Sequence, residues 1–546
     1  MARSVLMKPV VFGADTRIGK PGSLRCPPPI AALNNVHGPS VSTNTGNRSG
    51  NILIITLIGL FIVTAATMGV LMVAANALRL SHQQVAGSTA FNIAESGAER
   101  AAYWLKNQSS PPTGTVDPFG GWVSMAGGSY RVTVSPGPDN ATAYLKTFII
   151  ESVGRAQGAE RTVQVVVKQA SFGKYVYFTH SETSSVTGGA IWWKAGEIAD
   201  GPVHSNNANG SNFNINYNGS TAPIFLDMLT AAGSSIDYYP GRPRDEATFM
   251  RIFKDGSKGF KLGVTPILLP PSSNVQRNAA WGSSSGFPTT NGVYLRAGYG
   301  GGIYVRGDAA MQLSLDANGN QVITVTQGSN TTTITMDKLT QTIQVSGPVG
   351  PGSPTSAPSL GTGVIYVTGN ITSLGGTVAD NRIVGTDIAV RSALTIANDV
   401  NAGKYIKITN NLVYNTRPDK TRDSSDPVNL AAGTLGLVSK DIIIASSAPS
   451  NLEIDAVCLA GGSNTSGGSF YVENYNTKTP TGTLRVLGGI IQKARGPVGT
   501  FDANTGRTVT GYAKSYSYDP RLASNPPPYY PTTGQYERVS WQVLAD

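Results

Sequence analysis

Cysteine is nearly absent from this chain: two in 546 residues, Cys26 and Cys458. Cys26 lies in a basic leader and Cys458 in the apolar run "LEIDAVCLAGG". A membrane between them keeps them from pairing, so the exported core has to hold without a disulfide. Cys458 reads as a small, buried, apolar side chain. Histidine is scarce as well. Of four, only His180 and His204 fall in the exported region; His37 is in the leader and His82 at the membrane exit. No CxxC, HExxH or GxSxG motif occurs. "DANGNQ" (316–321) begins like a calcium loop but lacks the glycine at its sixth position and the glutamate at its twelfth. Asp316, Asn318 and Gly319 therefore read as a hairpin turn, and "DGPVHSN", with Asp200 and His204, as a structural turn. No catalytic residue, metal ligand or cofactor is expected, and the chain is not expected to be an enzyme.

Charge is also sparse, at 14% of residues. Residues 1–50 hold six Lys/Arg against one acid, which is half of the net charge of +10. Beyond the leader the chain is only mildly basic, so bulk charge alone does not argue for nucleic acid. Glycine (64 residues) and the many Asn, Ser and Thr suit a β-rich, turn-rich exported protein.

What is present is one long apolar run. From Ile52 to Leu78 there are 27 residues without a charge, opened by Ile52, Leu53, Ile54, Ile55, Leu57 and Ile58. About 20 residues span a bilayer core, and a cleavable signal has only about 7–15 apolar residues, so the run reads as a retained transmembrane helix. "ANA" at 75–77 offers a conventional cleavage site, which the length of the run disfavours. The basic leader sets the N-terminus in the cytoplasm, the helix as a single pass of the inner (cytoplasmic) membrane, and the bulk of the chain outside. Helical spacing continues through Val85, Phe91, Ala94, Ala98, Ala101 and Leu105 until "PP" at 111–112. A helix over 51–107 would be about 85 Å long.

The basic-then-glycine junction "RSG", the uncharged run after Gly50 and "NIAESGAERAAYWL" resemble the N-terminus of PilX-type minor pilins of type IV pili. The resemblance implies cleavage by a prepilin peptidase between Gly50 and Asn51, N-methylation, and assembly with other pilins or pseudopilins through the helix. Two positions depart from the family. The first mature residue would be Asn51 rather than Phe or Met, and the fifth Ile55 rather than Glu. Loss of that Glu suits a filament tip with no subunit above, and equally a protein that never polymerises.

Residues 108–170 give three strand-like runs, "SYRVTV", "KTFIIESVG" and "ERTVQVVVKQ", with turn-rich "SPGPDN" and "RAQGA" between them. From 171 to 535 short β runs recur every 10 to 25 residues with Gly or Asn at the corners, the texture of a parallel β-helix or solenoid. A β-sandwich is the alternative. A hairpin insertion is expected near 311–347, and "APIFLDMLTAAG" (222–233) is the one short helix-like stretch. Residues 536–546 alternate, with Tyr536, Arg538, Ser540 and Gln542 on one face and Glu537, Val539, Trp541 and Val543 on the other. They read as a return strand to the first sheet. The expected fold is thus an α+β pilin-like module carrying a mainly-β domain.

Stretches such as "KYVYFTH", "LGLVSKDIII" and "GYAKSYSYDPRL" resemble a bacterial surface domain of unknown function attached to PilX-type N-termini. The layout is similar to that of ComZ-type competence minor pilins, which implies a DNA receptor in uptake. The candidate nucleic-acid contacts are Lys404, Lys407, Arg417, Lys420, Arg422, Lys493, Arg495, Arg507 and Lys514, with Tyr414, Tyr512 and Tyr516 interleaved. The class expected is a minor pilin or pseudopilin presenting a β-solenoid at a filament tip or cell surface. The other is a membrane-anchored adhesin or glycan-active surface protein that enters no filament. DNA or a surface glycan is the expected ligand.

Overall fold

The structure, a computed structural model, describes residues 49–108, 111–141, 144–219 and 221–544. The leader, with Cys26 and the other residues before Ser49, lies outside the described residues. A 58-residue helix runs Ser49–Lys106. Its part up to Arg79 belongs to a unit of its own, separate from Leu80–Asp546. In that first unit every large apolar side chain from Ile52 to Leu78 is exposed, Phe61 to 77%. The threonines there return their hydroxyls to the backbone: Thr56, Thr64 and Thr67 each donate to the carbonyl four residues back at 2.9 Å. The threonine hydroxyls are then satisfied within the helix, and Asn76 is the other polar side chain on this surface before Arg79. One helix is therefore long and apolar enough to cross a membrane.

In the second unit, helix residues Ala90, Ile93, Ala94, Ala98, Ala101 and Leu105 are buried at i, i+3, i+4 spacing. Val85 falls off this stripe and is exposed. The stripe packs on a five-stranded antiparallel sheet of Val123–Met125, Gly128–Pro136, Thr147–Ala156, Ala159–Ser171 and, at its edge, Thr532–Leu544. Alternation along the strands puts Tyr130, Val132, Val134, Phe148, Ile150, Val163, Val165 and Val167 under the helix. Gln157 and Gly158, both at positive φ, make the two-residue turn between the third and fourth strands. Close approach needs Gly97 and Gly154. A Cβ on Gly97 would sit 2.8 Å from the Tyr130 ring, and one on Gly154 would meet the helix backbone, with Ala94 N at 2.6 Å.

The edge strand departs from simple alternation. Its register shifts between Arg538 and Ser540. Tyr536 meets Phe148 (5.7 Å between ring centroids) and Trp541 meets Phe91 (5.9 Å), so residues of opposite parity reach the helix side. A bulge adds one residue and swaps the faces.

Residues 172–531 are organised by parallel pairing. One register runs unbroken through ten strands: Ile303, Ile365, Ile396, Leu437, Cys458, Ile490, Tyr177, Val203, Leu229 and Phe260 are successive partners. Their side chains join one core. A second ladder stacks Met311, Leu374, Ile408, Ile444 and Val472. A third stacks Leu412, Ile454, Val486, Tyr516, Ala199 and Phe225. These two also face that core. The strand holding Ile490 is followed in the first ladder by the one holding Tyr177, far earlier in the chain. Strands enter from and leave to the antiparallel sheet at this junction, through Ser171 and Thr532.

The outward neighbours on the first ladder (Tyr304, Tyr366, Ala397, Val438, Leu459, Ile491 and Phe178) are buried too. A strap over residues 263–292 runs back along them. Ile267 N donates to Asn206, Val400 N to Ser273 and Thr362 to Ala279. The strap's helix Asn274–Trp281 adds Ala279, Ala280 and Trp281 to this second core. Strands covered on both faces need apolar side chains at consecutive positions, which explains the unalternating "IDAVCLA".

Ala309–Leu315, Gln321–Gln327, Asn330–Asp337 and Thr342–Ser346 form an antiparallel meander off the second ladder. At its first turn the Asp316 carboxylate accepts the N–H groups of Asn318 and Asn320, with Gly319 at φ 73. The helix-like stretch at 222–233 is instead two short strands, Ile224–Phe225 and Leu229–Ala231, each paired in parallel to an earlier strand. Phe225, Leu229 and Ala231 are drawn into the core at ladder positions, and this tertiary burial overrides a local apolar spacing of about one helical turn.

Candidate functional site

Gly50 and Asn51, the expected processing pair, fall in the first turn of the long helix. Ile52, Leu53, Ile54, Ile55, Leu57 and Ile58 follow as an exposed apolar surface.

The nine candidate nucleic-acid contacts separate into three groups. Arg495 and Lys514 are in the interior and are not available to a phosphate. Arg495, 1% exposed, donates to Glu182 at 2.9 Å and to the Ile191 carbonyl at 2.6 Å. Lys514 donates to Glu197 at 2.9 Å. Trp193 lies between the two cations, its ring centroid 5.5 Å from the Arg495 guanidinium carbon and 4.9 Å from Lys514 Nζ. Burial pushes the Lys514 ammonium down to about 8, against the pull of Glu197. A buried cation requires a buried anion. Glu182 lies on the first-ladder strand Tyr177–Ser184, 313 residues before Arg495, and Glu197 just before the third-ladder strand Ile198–Asp200, 317 residues before Lys514.

Four candidates are at the surface but ion-paired: Lys407 with Glu473 (3.1 Å), Arg417 with Asp455 (2.9 Å) and Glu453 (3.8 Å), Lys420 with Asp200, and Arg422 with Asp419 (3.2 Å) and Asp426 (3.5 Å). Lys404, Lys493 and Arg507 have no carboxylate partner among the described residues; Lys493 Nζ donates to the Ser463 carbonyl at 2.6 Å. The tyrosines expected to stack on bases are core side chains. Tyr414, Tyr512 and Tyr516 are 3%, 1% and 2% exposed. Tyr512 donates to the Pro449 carbonyl at 2.6 Å.

A cleft of about 780 Å³ gathers several of these groups. Val486, Leu487, Ser515 and Ser517 of the third-ladder strands form its floor, and the segments 417–432 and 518–525 its walls. Arg417, Lys420 and Arg422 line it together with Arg391, Arg485 and Arg521. Arg521 is locked into the wall. It donates from Nε and Nη2 to both oxygens of the buried Asp519 (3.0 and 2.7 Å) and from Nη2 to the Gly433 carbonyl (3.0 Å). Behind Arg417, burial raises the Asp455 carboxyl to about 6, even with the guanidinium against it. Sequence reading missed Arg391, Asp519 and Arg521. The adjacent "DPR" was the available signal, since an acid two residues before an arginine can hold it bidentately.

His204 and His180 belong to a hydrogen-bonded group. His204 bonds Thr230 (2.8 Å) and Asn206 (2.9 Å), and Asn206 bonds His180 (3.1 Å). Burial holds His204 down at about 4, so it stays neutral. Among the described residues no three His, Cys, Asp or Glu side chains converge as a metal site requires.

No family model matches this chain, and no curated protein matches it. Among solved structures it is similar to the competence-associated pilin ComZ from Thermus thermophilus, at 14% identity over 84% of this chain and 97% of that one, with a TM-score of 0.28. So remote a likeness places no residue of this chain.

Proposed function

We propose that this protein is a pilin-like structural protein, a minor pilin or pseudopilin, held in the inner membrane by its N-terminal helix with its β-rich bulk exported. The observation that carries this reading is the division of the helix. Its first part exposes a continuous surface of large apolar side chains with no charge before Arg79, and its second packs a narrow small-residue stripe on an antiparallel sheet. A lipid-soluble segment continued by a packing helix is what a subunit needs to leave a bilayer for a bundle of like helices. The parallel ladders support a solenoid over a β-sandwich as the displayed domain, since sandwiches are built from antiparallel strands. Partners under this reading are other pilins or pseudopilins and the prepilin peptidase, and the role is non-enzymatic display at a filament tip or cell surface.

A DNA-receptor form of the reading would rest on Lys404, Lys493 and Arg507, with little help from the paired and buried cations. The test of the main reading is the intact mass and N-terminal peptide map of the mature protein from native envelopes. An N-methylated Asn51 supports filament processing. An intact leader favours the second reading, a static membrane-anchored surface protein, with which Ile55 in place of the usual Glu is equally compatible.

A further inference from the structure

We propose that the cleft between segments 417–432 and 518–525 binds a carboxylated sugar. This site does not depend on whether the chain is processed or enters a filament. About 780 Å³ accommodates a di- or trisaccharide. The chemistry of the walls selects the class. Arg417 and Arg485 are each about half exposed, at 42% and 50%, while the acid that grips Arg417, Asp455, is 1% exposed. Asp455 therefore sits behind Arg417, while Glu453, 34% exposed, pairs with Arg485 at the surface, and both arginines line the cleft. Each guanidinium has five N–H groups, and only one hydrogen bond to a carboxylate occupies each of these two. They are positioned donors with capacity left over.

Long-range charge does not suit a polyanion. Arg417, Lys420, Arg422, Arg485 and Arg521 all have carboxylate partners. Arg391, exposed, has none among the described residues. With Arg391 the six cations meet six carboxylates, Asp200, Asp419, Asp426, Glu453, Asp455 and Asp519, so the cleft has no excess positive charge for a run of phosphates, and Arg391 is the cation left to pair with a single ligand carboxylate. Neutral polar groups also suit hydroxyls. The side chains of Ser515, Ser517 and Asn525 line the cleft and make no hydrogen bond among the described residues. A single half-buried aromatic, Tyr518, lines the same wall. It offers one stacking face for a sugar ring, whereas a strand of bases stacks on several, and Tyr414, Tyr512 and Tyr516 are buried.

The experiment is calorimetric titration of the full-length protein in detergent micelles with glucuronosyl-xylose, a disaccharide with one carboxylate, its neutral methyl ester and a ten-residue oligothymidylate. We expect saturable binding of the acid, at least tenfold weaker binding of the ester, and about a tenfold loss for the acid alone in Arg391→Gln. Arg507→Gln, away from the cleft, should bind as the parent does. Absence of saturable binding of the acid overturns the proposal, and so does equal binding of acid and ester. Tighter binding of the oligothymidylate, lost in Arg391→Gln, would assign the cleft to nucleic acid instead.

Discussion

In the helix-on-sheet region, buried side chains meet partners delivered by a hairpin or by the helix next in sequence, and only the strand Thr532–Leu544 comes from afar. In the ladder region the neighbour of a buried residue is a strand set by stacking order. Ile490 sits beside Tyr177, and Arg495 beside Glu182. The first region is governed by periodicity, the second by what the stack brings alongside. The difference matters most for charge. The antiparallel sheet keeps its ion pairs outside, as with Arg155 and Glu160, both about half exposed. The ladder encloses two.

The strongest test of that contrast is Glu182→Ala. It leaves Arg495 buried without its anion, and breaking one side of a buried pair costs about 3–5 kcal/mol. Chemical denaturation should show a loss of this size, largely recovered when Arg495→Met is added. A loss below about 1 kcal/mol for the single variant would mean water reaches Arg495, and the enclosed-charge view of the ladder would fail.

Next in size is a pH effect from Lys514. Burial lowers its ammonium to about 8, below its ordinary value of 10.5. Below pH 8 the lysine is charged in folded and unfolded chains alike, and the burial penalty applies in full. Between about 8 and 10.5 the folded chain releases the proton first, so the lysine's contribution to stability should rise across that window, by up to about 3 kcal/mol. Lys514→Met should flatten the rise. Fluorescence of Trp193, 4.9 Å from Nζ, offers a local readout. The test is the difference between parent and Lys514→Met, because the buried Cys458 thiol and tyrosines such as Tyr177 and Tyr516, all raised by burial, lower stability over the same range in both. A difference that does not change from pH 8 to 10 would contradict the placement of Lys514.

The antiparallel region should respond to shape instead. In Gly154→Ala the new methyl meets the helix backbone, Ala94 N at 2.6 Å, which has to move away. Overpacking of this kind costs about 1–3 kcal/mol. Hydrogen exchange should show lost protection in residues 86–105 with the ladder strands unchanged. Equal loss in both would mean the two regions open as one.

The same division decides what could be read from sequence. The long helix and the β-rich bulk were legible because each has its own period or its own turn chemistry: the Ala/Leu stripe from Ala90 to Leu105, and the glycines at strand corners. Pairing in the ladder was not legible, since Cys458 and Ile490 carry no mark of being partners. The stretch at 222–233 looked helical because short apolar runs fit either period when the partner strands are unknown. The candidate surface suffered most. Lys407, Arg417, Lys420, Arg495 and Lys514 read as free cations because their acids, Glu473, Asp455, Glu453, Asp200, Glu182 and Glu197, lie on other strands and turns. Tyr516 alternates with Ser515 and Ser517 as an exposed aromatic would, although it is the serines that face the cleft, and Lys514 shares the buried face with Tyr512 and Tyr516.

The smallest expected effect comes from a residue on the same strand as Arg495. Arg485 and Arg495 both belong to Gly482–Arg495, yet Arg485 points out, half exposed, to a partly exposed Glu453 at 3.4 Å. In water the attraction between such groups is weak, and ordering two long side chains offsets most of it. Arg485→Gln should therefore cost about 0.5 kcal/mol or less, and less still in high salt. Arg485 also lines the cleft, so a variant of unchanged stability separates folding from ligand binding there. A cost above about 1 kcal/mol, insensitive to salt, would show that the outer charges are as structurally committed as the inner ones. Buried charge would then no longer distinguish the inside of the ladder from its surface.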